Sequence, residues 1–544
     1  MERQTNNNSV KRINIAPGSG AKPVQRNGQR LSIWLLRLFL ACGVLALVYY
    51  FSWWLEDGRI FSPVWFFVLL AAVIYSSVQM VGNWYLYLAA HLPALPPQTP
   101  KNLTVDVFVT VCGEPHDLIE RSLRAAVRMN GAHETWLLDD GSDPVLAALA
   151  KRLGAGYFTR QERKHAKAGN LNAAVERTEA EILVIFDIDH APERDFLERT
   201  LGFFNDPQVG FIQVMLTFKN GQDSWVAQAA AETSLEFYNP TSLGTHGIGG
   251  ATMMGSNALI RRAALNSIGG YQPGLAEDLA TSINLHAAGW RSVYVAEPLA
   301  PGIAPPDLGA WFTQQLKWAR GVFELLLMAY PRLFPRLTWG QRISYAVRMT
   351  KYWIGPAVGL HLFATIFVLI LANAAVRDAF HEYLLHLAPL AFCDVLIRQQ
   401  ALRAWRHQAT PRTSLLRAVI LVYATWPIYM LAWFMALLRL PLAFRPTPKR
   451  ASGWLNPVWL LPQVIAVFSI MLGIIYTVVK LGHPLSVLLT FALVQAVLQL
   501  LLLARWLAFE FYPPEAIRKF VNSRIQTAEN PEQKVREETL LSRE

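Results

Sequence analysis

The chain has 544 residues, of which 53% are hydrophobic and only 16% are charged, and its mean hydropathy is +0.24. Soluble chains usually carry about 25% charged residues, so this composition indicates that much of the chain lies in lipid and excludes disordered and collagen-like classes. Three cysteines, Cys42, Cys112 and Cys393, are too few for a disulfide framework. The net charge of +11 fits either a nucleic-acid partner or basic loops beside anionic lipid.

Seven apolar runs approach the length of about 20 residues that a bilayer crossing requires. Two precede a polar stretch at 101–317 and five follow it; the runs are 31–51, 61–88, 352–376, 383–397, 415–438, 458–479 and 484–507. If 415–438 lies along the membrane interface, the chain has six crossings and both termini are cytosolic. If 415–438 crosses, there are seven crossings and one basic cluster falls outside.

The positive charges follow this topology. Lysines and arginines concentrate in the N-terminal tail and in loops at 398–417 and 439–450, which the positive-inside rule places in the cytosol together with the polar stretch. No basic patch with stacking aromatics appears in the polar stretch, so no nucleic-acid partner is predicted. The predicted organisation is a cytosolic tail (1–30), a transmembrane hairpin (31–95), a cytosolic domain (100–310), interfacial and transmembrane helices with a loop (311–510), and a charged cytosolic tail (511–544).

The polar stretch alternates strand-like and helix-like segments. Near-continuous apolar runs predict strands at 105–111, 134–138, 155–159 and 182–186, and helical patterns fall between them at 118–129 and 168–177. Such strands separated by helices favour an α/β domain with a parallel sheet covered on both faces. In these sheets ligands bind at the carboxyl ends of the strands, which is where the acidic residues fall.

Two acidic clusters end predicted strands. Asp187 and Asp189 are two residues apart in extended backbone, so their side chains emerge on the same side, and His190 follows. Paired carboxylates together with a substrate diphosphate suit Mg²⁺; the alternative is a solvated strand end. Asp139 and Asp140 end the second strand in the same way, and an aspartate-rich turn is the alternative there.

Three further positions could serve a transfer reaction. Lys167 lies near a predicted helix start, where it could contact phosphate, although a solvated lysine would look the same. Asp278, preceded by Glu277, could be a general base or merely a partner of the helix dipole. An aspartate with an ordinary pKa of about 3.9 would be ionised and able to accept a proton.

One helical face near the membrane carries an amide, a cation and an indole. Gln314, Lys317 and Trp318 are spaced i, i+3 and i+4 within the stretch 311–330, so they share a face. An indole offers a flat apolar platform that matches the apolar face of a sugar ring. The alternative is an amphipathic interfacial helix with a snorkelling lysine.

Taken in order, these motifs resemble the membrane-embedded processive glycosyltransferases of family 2, in particular the catalytic subunits of bacterial cellulose synthases. The resemblance covers about 31–509. It rests on these matching segments: Asp139-Asp140-Gly141, Lys167-Ala168-Gly169-Asn170, Asp187-Ile188-Asp189-His190, Gly255–Arg262 with Ile268-Gly269-Gly270, Glu277-Asp278, Gln314-x-x-Lys317-Trp318-Ala319-Arg320-Gly321 and Phe444-Arg445-Pro446-Thr447-Pro448-Lys449.

The resemblance implies a GT-A-type domain, a UDP-sugar donor and a divalent cofactor, Mg²⁺ or Mn²⁺. It assigns the metal to Asp187, Asp189 and His190, and catalysis to Asp278 with Glu277. The nucleotide would be held by Thr110, Glu114, Asp139, Asp140 and Lys167, the acceptor by Gln314, Lys317, Trp318 and Arg320, and a gating loop by Phe444, Thr447 and Lys449. The implied product is a β-linked polysaccharide that leaves through the membrane helices, placing the protein in the inner membrane.

Three departures fall at the acceptor and the gate. Lys317 replaces the family's usual arginine, Pro446 replaces a valine, and Thr252-Met253-Met254 replaces an aromatic-and-cysteine motif. The donor sugar and linkage therefore stay open between a β-glucan from UDP-glucose, a chitin-like or hyaluronan-like polymer, and a single sugar on a lipid carrier. The thirty-five residues after Phe509 are too few for a PilZ β-barrel, so activation by cyclic-di-GMP is not expected within this chain. A periplasmic or membrane partner subunit is left open.

Overall fold

A seven-stranded sheet lies between two groups of long apolar helices along the chain. The computed structural model describes residues 27–56, 63–94, 98, 102–371, 380–407, 416–451, 455–481 and 487–511. The predicted tails, 1–30 and 511–544, lie almost wholly outside these residues, as do the ends of some predicted crossings.

The sheet has the order β3-β2-β1-β4-β6-β5-β7. Its strands are β1 (Val105–Val111), β2 (Glu134–Asp139), β3 (Gly156–Phe158), β4 (Ile182–Asp187), β5 (Val209–Val214), β6 (Ala258–Arg261) and β7 (Arg291–Val295). β6 runs antiparallel to both of its neighbours, and every other pair is parallel. The predicted parallel arrangement is confirmed for the four predicted strands β1 to β4, whereas β6, which the prediction did not include, makes the whole sheet mixed. This mixed sheet agrees with the GT-A-like fold that the resemblance implies.

Helices of the domain cover both faces of the sheet. They are α3 (His116–Val127), α4 (Pro144–Leu153), α5 (Ala166–Val175), α6 (Phe196–Thr200), α7 (Trp225–Glu236), α8 (Ser242–Gly247), α9 (Arg262–Ser267) and α10 (Glu277–Ala287). Val107 and Val109 of β1 pack into the core on one face, and Phe108 packs into the core on the other. Burial on both faces explains the near-continuous apolar sequence of this strand.

The remaining helices flank the domain. They are α1 (Asn27–Trp54), α2 (Pro63–Ala89), α11 (Leu308–Leu333), α12 (Trp339–Thr350), α13 (Ile354–Leu371), α14 (Phe380–Trp405), α15 (Leu416–Ala424), α16 (Trp426–Leu437), α17 (Leu461–Leu481) and α18 (Val487–Phe511). α1 packs along α14, and α11 packs along α16. The long helix α11 therefore joins the domain to the apolar helices.

Local sequence signals set several helix ends. Asp143 caps α4 by accepting a hydrogen bond from the amide of Val145, Pro144 occupies the first helical position, and Gly154 ends the helix with a φ of 79°. Thr338 and Gln341 form a capping box at the start of α12. These ends matter because α4 follows the acidic turn and α12 lies beside the candidate site.

Three described helical segments are long and apolar enough to cross a membrane: Gly28–Trp54, Phe66–Ala89 and Pro457–Val479. α15 and α16 meet at a bend of 42° and together form either one broken span or a re-entrant loop, which allows up to four spans. The predicted interfacial segment 415–438 is thus two bent helices and not one. The count of six crossings is not confirmed and stays a prediction.

Candidate functional site

A cavity of about 510 Å³ lies at the carboxyl ends of β1 and β4. Its sheet side is lined by residues that follow β1, β2 and β4, together with Lys167 of α5 and the segment 444–449. Its helix side is lined by residues of α7, α10, α11 and α12 and of the turn after α12. The predicted nucleotide, metal and acceptor residues are thereby brought to one space, with two exceptions described below.

The three predicted metal ligands form a compact cluster at the end of β4. One candidate ligand atom from each of Asp187, Asp189 and His190 lies within 4.8 Å of the others. Asp189 and His190 are almost fully buried, and neither ring nitrogen of His190 has a hydrogen-bond partner. Buried polar atoms without partners are costly, and two carboxylates with an imidazole suit a divalent cation. The described residues therefore fit a divalent metal site.

Two lysines contact this cluster. The ammonium of Lys167 bonds to Asp187 and to the carbonyl of Gly255, and Lys449 Nζ lies 3.0 Å from Asp189 Oδ1. Burial alone would raise the pKa of both aspartates, but the lysines outweigh it and hold each pKa below its usual range. Both carboxylates are consequently ionised and each has a cationic partner.

The two aspartates at the end of β2, Asp139 and Asp140, differ in whether they line the cavity and in their hydrogen-bond partners. Asp140 lines the cavity, and its two oxygens accept hydrogen bonds from Nε and Nη2 of Arg160 at 2.7 and 2.8 Å. Asp139 is fully buried, and its oxygens accept hydrogen bonds from the amides of Gly141 and Asp143 and from the hydroxyl of Tyr157. Asp139 does not line the cavity, and its carboxylate is held instead by two amides of its own turn and by Tyr157 of β3.

Thr110 and Glu114, which the resemblance assigns to the nucleotide, both line the cavity. Thr110 Oγ1 donates to Asp187 Oδ1 at 3.3 Å, and Glu114 accepts a hydrogen bond from the amide of Cys112 at 2.7 Å. Burial raises the pKa of Glu114. Cys112 also lines the cavity, so its thiol can report whether this end is occupied.

Glu277 and Asp278 open α10 on the helix side. Asp278 Oδ1 accepts a hydrogen bond from the amide of Leu279 at 2.7 Å. A Cβ on Gly255, whose φ is +82°, would lie 3.9 Å from Asp278 Oδ2 and 4.0 Å from Lys167 Nζ, so this glycine separates the two groups. Burial raises the pKa of both carboxyls, and for Glu277 the charge of Asp278 adds to the effect. The ordinary aspartate pKa expected from sequence is thus wrong for Asp278.

Three predicted acceptor residues of α11 line the cavity: Gln314, Lys317 and Trp318. Lys317 Nζ lies 4.6 Å from the ring centre of Phe444, and burial lowers its pKa. Arg320 is the second exception. It is buried outside the cavity lining, where it pairs with Glu324 at 2.7 Å and donates to the carbonyl of Leu440 at 3.1 Å.

The predicted gating residues Phe444, Thr447 and Lys449 all line the cavity. Lys317 and Lys449 connect this segment to α11 and to the metal cluster respectively. The segment 444–449 therefore contacts both the helix side and the sheet side of the cavity.

Several lining residues carried no sequence signal. Arg163 and Arg348 approach from other elements, and a group of aromatic side chains completes the helix side: Phe237, Tyr238, Trp311, Tyr352 and Tyr429. Because these residues are scattered over five segments, only the folded chain brings them together. The abundance of aromatics, 12% of the chain, is compatible with such a wall but does not locate it.

Family comparisons agree with this geometry. Residues 100–321 match the family model described as glycosyltransferase like family 2, and residues 266–388 match the model described as cellulose synthase. Over this region the chain is similar to bacterial cellulose synthases. The resemblance drawn from the motifs is confirmed, and with it the prediction of a glycosyltransferase region.

Curated relatives extend the match beyond single motifs. Cellulose synthase 1 of Komagataeibacter xylinus is 31% identical over 339 residues, which cover 60% of this chain and 21% of the relative. The UDP-forming cellulose synthase catalytic subunit of Pseudomonas fluorescens (strain SBW25) is 33% identical over 263 residues, covering 46% of this chain and 35% of the relative. The chain thus spans well under half the length of either relative.

Among solved structures, a mannosyltransferase from Pyrobaculum calidifontis in complex with GDP-mannose and Mn²⁺ is similar with a TM-score of 0.47. Its sequence identity is 18%, and the match covers 69% of this chain and 99% of that one.

Proposed function

We propose that this protein is a processive inverting glycosyltransferase that polymerises a β-linked polysaccharide from a UDP-sugar, with UDP-glucose as donor and a β-glucan as product. The observation that carries the proposal is the single cavity, whose sheet side offers groups for a nucleotide diphosphate and whose helix side offers a base and a sugar platform. The similarity to UDP-forming cellulose synthase catalytic subunits supports the donor.

The nucleotide would occupy the sheet side. Thr110 and Glu114 would lie near the base, and Lys167 would contact the diphosphate near the start of α5. Asp140 would act together with Arg160, because the two hydrogen bonds between them fix the position of the Asp140 carboxylate beside the nucleotide. Asp139 would hold the turn that carries Asp140.

Asp187, Asp189 and His190 would hold the divalent cation, which we propose to be Mg²⁺ or Mn²⁺. When bound, such an ion neutralises the negative charge that grows on a departing diphosphate. The ammonium groups of Lys167 and Lys449 already contact these carboxylates, so they would exchange aspartate contacts for contacts with the cation-bound donor.

Transfer would occur between the two sides. The acceptor hydroxyl gives its proton to the Asp278 carboxylate and its oxygen attacks the anomeric carbon, while the bond from that carbon to the diphosphate breaks on the opposite face. Attack from the opposite face inverts the anomeric centre. Gln314, Lys317 and Trp318 would orient the acceptor, with the indole against a sugar ring. Glu277, whose pKa is raised by burial and by the charge of Asp278, would be electrostatically coupled to the base.

The helices that join the site would carry the product onward. We propose a multi-pass protein of the inner membrane, with the domain 100–310 in the cytosol and the helices of 31–95 and 311–510 forming the path across the bilayer. α11 supports this arrangement, because it lines the cavity near its start and packs along the apolar helix α16. The residues at 444–449 would gate the entry.

The test uses the full chain purified in lipid nanodiscs with Mg²⁺ or Mn²⁺. Radiolabelled UDP-glucose and UDP-N-acetylglucosamine are supplied separately, and the product is treated with β-1,4-specific and β-1,3-specific glucanases. We expect label from UDP-glucose in an insoluble product that one glucanase releases. Label from UDP-N-acetylglucosamine alone would favour an amino-sugar polymer, and a short product extracted into organic solvent would favour a lipid-carrier transferase. Incorporation from neither donor would contradict the proposal.

A further inference from the structure

One face of α12 is hydrogen-bonded to the chain segment that leads into the site. Gln341 Nε2 donates to the carbonyl of Gly249 at 3.3 Å, and Ser344 Oγ donates to the carbonyl of Gly250 at 2.7 Å. The spacing of three and four residues places Gln341, Ser344 and Arg348 on one face of the helix. Side chains of α12 thus hold the start of this segment through the carbonyls of Gly249 and Gly250.

Arg348 makes the contacts nearest the site. Its guanidinium bonds to the hydroxyl of Thr252 and donates to the carbonyl of Met253 at 3.4 Å. It also lies 5.4 Å from the ring centre of Phe237 and lines the cavity. No carboxylate within the described part of the chain forms an ion pair with Arg348. Its charge is therefore available to the cavity.

The segment held by Arg348 ends at catalytic groups. Met254 lines the cavity, and the carbonyl of Gly255 accepts a hydrogen bond from Lys167. The amide of Met253 donates to Ser282 Oγ at 2.8 Å, and that hydroxyl donates to the carbonyl of Asp278 at 2.7 Å. A displacement of this segment would consequently shift the space between Lys167 and Asp278.

We propose that Arg348 is a positioning residue for sugar transfer: it fixes the segment 252–255 between donor and acceptor and supplies the positive charge that keeps Asp278 able to accept a proton. This inference rests on the proposed function, because it takes Asp278 as the base. It also gives α12, which leads directly toward α13, a defined contact with the reacting centre.

The charges around Asp278 support an electrostatic role. The charged groups that act on Asp278 are Glu277, Asp187, Lys167 and Arg348, and burial together with the charge of Asp278 in turn raises the pKa of three tyrosines, Tyr238, Tyr271 and Tyr352. Burial raises the pKa of Asp278, and Arg348 is the foremost charge that opposes this rise. Removing the guanidinium should raise the pKa of Asp278 further, so its carboxylate would become protonated, and stop acting as a base, at a higher pH.

The test compares Arg348→Met and Arg348→Lys with a matched control on another face of α12. Arg342→Met is that control, because Arg342 donates to the carbonyls of Phe334 and Pro335 and lies over Trp339. Each purified variant is assayed for kcat, for donor KM and for the pH dependence of kcat.

We expect Arg348→Met to lower kcat by about tenfold or more while donor KM stays within about twofold. The acid limb of the kcat profile, the fall of kcat on acidification, should move to higher pH by about one unit. Arg348→Lys keeps the charge and should return the acid limb to its wild-type position. Arg342→Met should behave as wild type. Ser344→Ala removes one bond to the segment without removing charge, so it should lower kcat without moving the limb.

A kcat within about twofold of wild type and an unmoved acid limb in Arg348→Met would overturn the inference. If Arg348→Met does not bind UDP, Arg348→Lys and Ser344→Ala decide the role of Arg348. A wild-type kcat in both variants overturns that role, and a lowered kcat with an unchanged donor KM supports it. Asp278→Asn separates the two levels. An active Asp278→Asn refutes the proposed base, whereas an inactive Asp278→Asn beside a wild-type-like Arg348→Met refutes only the role of Arg348.

Discussion

The two sides of the cavity differ in how their charges are balanced. On the sheet side three acidic groups near the strand ends have a cationic partner within hydrogen-bonding distance; the pairs are Arg160–Asp140, Lys167–Asp187 and Lys449–Asp189. On the helix side the charged groups form no ion pair in the described part of the chain; they are Glu277, Asp278 and Arg348, with Lys317 and Lys351 each beside an aromatic ring.

This difference separates binding from proton transfer. Paired charges on the sheet side stay ionised and can exchange one partner for another, which suits a diphosphate and a cation. Carboxyls without a paired cation on the helix side keep raised pKa values, which suits a group that must gain a proton during the reaction.

The largest effect is expected on the sheet side from Asp189→Asn. The variant removes a charged oxygen from the candidate metal cluster, so we expect Mn²⁺ binding to be lost and sugar transfer to fall by about 100-fold or more. Electron paramagnetic resonance of free Mn²⁺ measures binding without any turnover. Asp195→Asn is the control, because Asp195 is a half-buried aspartate that lies outside the cavity and pairs with Arg199 four residues later. Unchanged Mn²⁺ binding in Asp189→Asn would contradict the assigned metal site.

Lys449→Met tests whether the sheet-side pairs are exchangeable. Lys449 Nζ lies 3.0 Å from Asp189, so its removal leaves that carboxylate without its cationic partner. We expect the nucleotide-free variant to bind Mn²⁺ about tenfold more tightly, a change of about 1.4 kcal/mol. The neighbouring Arg450→Met serves as control, since Arg450 is exposed and pairs with Asp117. Weaker or equal Mn²⁺ binding by Lys449→Met would show that the pair does not compete with the metal.

The pH profile of the wild-type protein tests the helix side. A base works in its deprotonated form, and burial raises the pKa of Asp278, so activity should be lost on acidification at a pH above the ordinary aspartate value of about 3.9. The rate of transfer is measured at saturating donor across the acidic range, with UDP binding followed on the same samples. An acid limb at or below pH 4, with UDP binding intact, would be inconsistent with the raised pKa.

The smallest effect on activity is expected from Asp139→Asn. Asp139 accepts two hydrogen bonds from amides of its own turn and one from the hydroxyl of Tyr157 in β3, and an amide can offer only one oxygen to those donors. We expect the unfolding temperature to fall by several degrees and transfer to fall less than about tenfold. Differential scanning fluorimetry and the transfer assay measure the two quantities. A loss of UDP binding without a fall in unfolding temperature would restore Asp139 as a direct nucleotide contact.

Much of the domain follows from local sequence. The strands β1, β2 and β4 are predicted within one residue at each end, because residues buried on both faces leave a continuous apolar run. The metal cluster is also predicted, since a two-residue spacing fixes which side of the strand both aspartates face. The direction of β6 is not predictable in this way, because hydrogen-bond partners distant in sequence set it.

Side-chain partners far apart in sequence account for the remaining differences. The motif containing Arg320 marks the correct helix, but its position turns the guanidinium toward Glu324 and Leu440 and away from the cavity. Lys449 reaches Asp189 from a segment 260 residues later, and no spacing rule connects the two. Arg348 belongs to no motif, and its contacts with 252–253 exist only once α12 is packed on the domain.

The most direct test of a single donor–acceptor cavity is to measure sugar incorporation and UDP binding on one preparation of Asp278→Asn. UDP binding is read from protection of the Cys112 thiol against a maleimide, because Cys112 lines the sheet side. We expect wild-type protection together with incorporation from UDP-glucose lowered by about 1,000-fold, since a general base contributes about 10² to 10⁴ in rate. Incorporation at the wild-type rate by Asp278→Asn would contradict the account.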